Sequence, residues 1–227
     1  MTRPTLTLTT DFGLGDHFVG TMKGVILGIC PEAQIVDISH DVTPFEIAEG
    51  AYLIAQAWRY FLKKTVHVVV VDPGVGTARR PILVEAGGQY FIGPDNGVLS
   101  MVYLQEKSNV RLISNEKYFR HPVSKTFHGR DIFAPVAAHL AGGIPAARCA
   151  ATGAKMSRPW NVLLTGWRKY FSLEIRRTLL FSCRYTMEST PLSGPIKYCP
   201  PASTRIGRRA VPTPGSTTTT CTVFFGK

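Results

Sequence analysis

Through about residue 145 the sequence predicts an α/β domain built on one mainly parallel sheet with helices on both faces. Three observations point to it. Short apolar runs of strand length recur at Leu6-Thr7-Leu8-Thr9, Ile35-Val36-Asp37-Ile38 and Thr65 to Val71. Stretches with helical spacing of apolar residues lie between them. The runs also stop at acidic or glycine-rich turns, the places where parallel α/β proteins present polar groups at strand ends.

The first strand, Leu6 to Thr9, stops at Asp11 and Gly13, and Phe18 to Ile29 comes next with the spacing of a helix packed on one face. After the second strand, Pro44 to Tyr60 reads as an amphipathic helix that turns Ile47, Ala51, Ile54, Ala55 and Trp58 toward the core. Thr65 to Val71 is the strongest strand signal and fits a central position, because a run this continuously apolar needs cover on both faces. Ile82 to Glu85 and Tyr90 to Ile92 flank Gly87-Gly88, which predicts a hairpin against the sheet. The chain turns at Pro94-Asp95-Asn96-Gly97 and returns to helix over Gly97 to Tyr103. Ile132 to Leu140 forms another short helix.

With 227 residues and 24.9 kDa the chain can bury a substantial core. Its formal net charge of +11 is unevenly spread: residues 1–150 hold 14 Lys/Arg against 13 Asp/Glu, and residues 151–227 hold 12 against 2. The basic segment lacks zinc-finger spacing, an RRM phrase and a basic helix, so no nucleic-acid partner is expected. Cys30, Cys149, Cys183, Cys199 and Cys221 are scattered without a CxxC pair, as thiols in a reducing compartment would be. No signal-peptide apolar region precedes the first strand, and Val66 to Val71 is too short to span a bilayer. A cytoplasmic protein without a membrane partner is the expectation.

Three constellations carry chemistry. Asp11 and Asp16 flank two glycines directly after a strand; paired carboxylates there can accept hydrogen bonds from vicinal ribose hydroxyls, or they can serve as an Asx turn and a helix cap. Asp72 ends the most apolar strand and opens Asp-Pro-Gly-Val-Gly. Arg79, seven positions on, can return to pair with it and hold a water or an anion, or can be an ordinary surface arginine beside a turn aspartate. His128, between Phe127 and Gly129, can orient or exchange a proton, or cap a helix. Neither Gly-rich phrase completes a Walker or dinucleotide motif. His121 with His128, or His17 with His40 and Asp41, forms no closed ligand set by spacing, so no metal is expected.

Taken together, Thr-Thr-Asp-Phe-Gly, Val-Asp-Ile-Ser-His, Val-Asp-Pro-Gly-Val-Gly-Thr, Gly-Pro-Asp-Asn-Gly and Phe-His-Gly-Arg-Asp-Ile-Phe-Ala-Pro make residues 5 to 150 resemble the S-adenosyl-L-methionine (SAM) hydroxide adenosyltransferases, the former DUF62 family, which are related to fluorinases and chlorinases. The resemblance implies an α/β domain followed by a smaller β-barrel domain, assembled as a homotrimer when the C-terminal domain is intact. It implies Asp72, Arg79 and His128 as the catalytic set, Asp11 as ribose-diol acceptor, and Asp16 in the same binding loop. Phe45 falls where an aromatic ring packs on the nucleoside, and Asn96 organises the pocket. The implied reaction is hydrolysis of SAM to adenosine and L-methionine by water or hydroxide at ribose C5′, with SAM as substrate and no cofactor. Halide-dependent cleavage of the same bond and non-catalytic SAM or adenosine binding are the alternatives.

Beyond residue 150 the sequence departs from the family pattern. No Asp-x-Phe-Gly-Asn phrase occurs after Lys155, aspartate is absent, and Pro212 to Thr222 is Thr-rich and of low complexity. Residues 151–227 therefore read as an atypical basic segment, disordered, frameshifted or strongly divergent, and as a truncated remnant of the barrel. A cleft left open on that side predicts weak turnover even with the catalytic residues in place.

Overall fold

A computed structural model of the chain describes residues 3–105, 107–151 and 154. A single seven-stranded sheet, order β2-β1-β3-β5-β4-β6-β7, organises them. The strands are β1 (Thr5–Thr10), β2 (Gln34–Ser39), β3 (Val66–Val70), β4 (Pro81–Ala86), β5 (Gln89–Pro94), β6 (Ser108–Ile113) and β7 (Ala150–Ala151). β2, β1, β3 and β5 are mutually parallel, whereas β4, β6 and β7 add antiparallel pairs. The sheet is mixed rather than mainly parallel. The tight turn at Gly87-Gly88, both at positive φ (57° and 78°), reverses the chain between β4 and β5, and β5 is the arm that pairs with β3.

Alternation along β3 divides the core. Val66, Val68 and Val70 join Leu6 and Leu8 of β1 under helices α1 (Phe18–Ile29), α4 (Ala134–Ala141) and α5 (Ala146–Cys149), with Met22, Ile26 and Phe133 filling that layer. Val69 and Val71 face the other way, with Ile82, Val84 and Phe91, against α2 (Ile47–Ala57) and α3 (Ser100–Gln105). Every residue of β3 is buried, as a central strand covered on both faces requires.

Two helices begin where local bonds allow rather than where apolar spacing starts. Pro44 to Glu46 stay out of α2 because Phe45, at φ 66°, turns its N–H onto the Asp11 carboxylate. At Asn96 the side chain accepts from Val98 N–H, and α3 starts only at Ser100. The reverse holds before α4, which is entered through a wide, π-helical turn, Gly129–Phe133, extending the predicted helix upstream. Among the described residues no helix is long and apolar enough to cross a membrane, no group of three His, Cys, Asp or Glu is placed to hold a metal ion, and Cys30 and Cys149 are free and buried. The expectations for residues 151–227, Ala151 and Ala154 apart, lie outside the described residues.

Candidate active site

Because β1, β3 and β5 are parallel neighbours, the residues just past their ends emerge along one edge: Asp11 directly after β1, Asp72 two residues after β3, and Asn96 two residues after β5. This C-terminal edge is where an open parallel sheet leaves backbone ends and short polar side chains available to a ligand.

Asp72 is almost wholly enclosed, its side chain 5% exposed, and Arg79 reaches back to it with Nη1 2.5 Å from Oδ1. The guanidinium crosses Gly74, where any Cβ would collide with it, and Gly74 N–H also donates to Asp72 Oδ1 at 3.1 Å. A side chain at 74 would make the guanidinium shift from this position. Both bonds end on Oδ1, so Oδ2 is the oxygen left to accept from a water or a substrate.

Asp11 accepts the Phe45 N–H on Oδ2 at 2.9 Å. Burial pushes its carboxyl above the ordinary range, against that hydrogen bond, and the negative charge of Asp72 pushes the same way. The two carboxylates are therefore near enough to repel each other. Phe45 itself is 66% exposed. Asp16 is also exposed, and its Oδ1 takes the N–H of the adjacent His17 at 2.5 Å rather than capping α1.

Asn96 is committed at both ends of its amide. Nδ2 donates to the carbonyl of Val71 at 2.7 Å, and Oδ1 accepts from Val98. It thereby holds the backbone immediately before Asp72. The preceding residue, Asp95, is buried and bound through one carboxylate oxygen by Arg80 Nε, at 3.0 Å, and Nη2.

His128 is half-buried at the position before the π-helical turn and makes no side-chain cap bond. The segment bearing it packs on both acid loops: the Phe127 ring meets Phe12 edge-on at 6.0 Å, and Gly76, at φ 82°, abuts the Lys125 carbonyl so closely that a Cβ would collide with it. Asp131 anchors this segment, with Arg130 donating to both its oxygens (2.7 and 2.8 Å) and Ser124 N–H to one at 2.8 Å. Burial would raise the Asp131 carboxyl, but these bonds and the charges of Arg130 and Arg120 outweigh it and hold it below the usual range.

Several supports are not visible in sequence. Asp95, Arg130 and Asp131 sit inside the motif phrases and Arg80 just past one, yet nothing in spacing marks Arg80 with Asp95 or Arg130 with Asp131 as internal pairs. The same is true of His40, which is buried between Thr10 and Asp37.

Residues 6–150 match the family model described as the SAM hydroxide adenosyltransferase N-terminal domain. The chain is 46% identical over 147 residues to the (R)-S-adenosyl-L-methionine hydrolase of Salinispora tropica, covering 63% of this chain and 56% of the relative. It is 32% identical over 167 residues to the fluorinase of Actinoplanes sp., with the same two coverages. It thus spans about 56% of the length of these curated relatives. Among solved structures, an uncharacterized conserved protein from Thermotoga maritima superposes with a TM-score of 0.65 at 43% identity, over 67% of this chain and 60% of that one.

Proposed function

Since the chain belongs to the SAM hydroxide adenosyltransferase family, we propose that it hydrolyses SAM to adenosine and L-methionine at the C-terminal edge of its sheet. The observation that carries this reading is the enclosed Asp72–Arg79 pair just past β3, on the same sheet edge as Asp11 just past the neighbouring β1. In this account Asp11 accepts the ribose hydroxyls, Phe45 packs on the nucleoside, and the Asp16 loop favours the cationic substrate. Asp72 Oδ2 accepts a proton of the attacking water while Arg79 stabilises its developing hydroxide character. The water oxygen forms a bond to C5′, the C5′–S bond breaks with its electron pair left on sulfur, and methionine departs as a neutral thioether. The proton passes through Asp72 and His128 to solvent. A carboxylate is a weak base for water, so placement and desolvation supply much of the acceleration, and Asn96 contributes by fixing the backbone ahead of Asp72.

Incubating the purified chain with SAM in ¹⁸O-labelled water tests the reading. Adenosine carrying the label at its 5′-oxygen, formed without added halide, is the expected result. Turnover only with halide points to halogenation, and adenosine binding without turnover points to a binding protein.

A further inference from the structure

His40 has no part in the chemistry above, yet it is 4% exposed and lies against the strand end that carries Asp11. Its Nδ1 is 2.8 Å from the hydroxyl of Thr10, the residue before Asp11. That hydroxyl also accepts the Phe12 N–H at 3.3 Å, and in the neutral ring with its hydrogen on Nε2 it donates its own proton to Nδ1. Nε2 faces Asp37 Oδ1 at 3.1 Å, and Lys23 Nζ holds the other oxygen of Asp37 at 2.6 Å. The backbone of His40 closes the arrangement by accepting the Gly13 N–H at 2.8 Å.

The strand register explains how His40 arrives there. β1 and β2 pair in step up to Leu8 opposite Asp37, but Thr9 then lies opposite Ser39, leaving Ile38 as an extra residue. Such a bulge re-aims the next residues of its strand, and here it turns His40 toward Thr10. A regular strand end would leave the imidazole elsewhere and Thr10 without this partner.

We propose that His40 is a positioning residue for the turn Asp11 to Gly13: pinned between Thr10 and the Asp37–Lys23 pair, it fixes the strand end from which Asp11 accepts the ribose. The proposal rests on the ribose-binding reading of Asp11. Loss of the imidazole frees the Thr10 hydroxyl and slackens the turn, so substrate capture suffers and the water-positioning pair, held between the end of β3 and the start of β4, does not.

The test uses the full chain and four variants, His40→Ala, His40→Gln, His40→Asn and Thr10→Val, with adenosine as probe. Asparagine places a polar atom where Nδ1 stands and can serve Thr10; glutamine reaches toward Asp37 and cannot. His40→Ala, His40→Gln and Thr10→Val are expected to weaken adenosine binding about five- to tenfold, the scale of one misaligned hydrogen-bond acceptor. His40→Asn should restore most of it. In the three weakened variants, amide exchange at Phe12 and Gly13 should accelerate while the unfolding midpoint stays near that of the parent chain. Equal binding loss in His40→Asn and His40→Gln, or unchanged exchange at Phe12 and Gly13 in His40→Ala, overturns the proposal. If the parent chain binds no adenosine, the ribose reading fails instead, and the exchange comparison still decides whether His40 holds the turn.

Discussion

The two ends of the parallel strands differ in a way that volume alone would misread. At the N-terminal edge, where β1, β3 and β5 begin, a concavity of about 860 Å³ opens between Arg3, Lys63, Lys64, Tyr90 and the turn at Gly142 and Gly143. At the C-terminal edge a smaller depression of about 450 Å³ is lined by Thr77, Ala78, Arg79, Arg80 and Asp95. The larger space has its charges on loop residues, and its buried Thr65 hydroxyl is spent on the Leu62 carbonyl at 2.7 Å. The smaller one adjoins an enclosed carboxylate with one oxygen to spare. Parallel strands deliver successive polar residues to one edge, and buried, partly satisfied groups mark that edge better than size does.

The sharpest way to break this contrast is to remove the enclosed carboxylate. Asp72→Ala is expected to lower adenosine release about a hundredfold or more, the scale of a lost acid–base group, while adenosine binding changes by no more than about threefold. Lys63→Ala, in the larger concavity, should leave both within about twofold. Separate turnover and calorimetric measurements decide it, and a large loss of turnover in Lys63→Ala would move the site to the other edge.

A second contrast lies between an edge histidine and a central one. His67, in the middle of the sheet, is fully buried and bonded to the Thr7 hydroxyl at 2.7 Å and to Gln89 Oε1 at 2.5 Å, and it stacks on Phe91. Burial pushes its pKa down to about 4, against the Gln89 bond that would raise it. Below the ordinary value of 6.5 the unfolded chain takes a proton that the folded chain refuses. Stability from this residue is therefore complete above about pH 6.5 and is lost as pH falls toward 4, to a total of about 3 kcal/mol. Urea unfolding across that range should show the loss, and His67→Gln should flatten it.

Asp11 illustrates what burial costs a carboxylate. Its pKa is raised, so its ionised form is disfavoured by folding, and its stabilising contribution is greatest at low pH and declines as pH rises. Asp11→Asn is expected to raise the unfolding midpoint at neutral pH while weakening adenosine binding about tenfold, because the amide accepts fewer hydrogen bonds from a diol. Calorimetry with thermal melts measures both. A variant that binds adenosine as well as its parent removes Asp11 from the ribose site.

Much of this edge was legible because the features are local. Val66 to Val71 announce a central strand by composition, Gly87-Gly88 a hairpin, and Asp72 with Arg79 a loop short enough to close on itself. Strand order was not legible: both arms of a hairpin read alike, so nothing in sequence places β5 rather than β4 beside β3, and the motif-led reading assigns no element to Ser108–Ile113. Nor were the supporting side chains, since burial of His40 depends on the register shift at Leu8/Thr9, and the double engagement of Asn96 depends on which strand precedes it. Candidate site residues could be named from motifs, whereas the residues that hold them in place required long-range pairing.

The smallest expected effect compares two strained residues, one at each edge. Phe45 (φ 66°) and Lys64 (φ 69°) are the non-glycine residues with left-handed backbone among those described. Each uses that conformation to direct its N–H, Phe45 to Asp11 at 2.9 Å and Lys64 to the Gly88 carbonyl at 2.8 Å. An L side chain there costs about 1 kcal/mol, and glycine removes it at some expense in unfolded-state entropy. Lys64→Gly should therefore gain about 0.5 kcal/mol with adenosine binding unchanged. Phe45→Gly should gain a similar amount in backbone strain but lose the ring and slacken the turn over Asp11, so binding weakens severalfold. Strain retained for use at one edge and only tolerated at the other is the distinction the pair measures, and equal binding by the two variants would erase it.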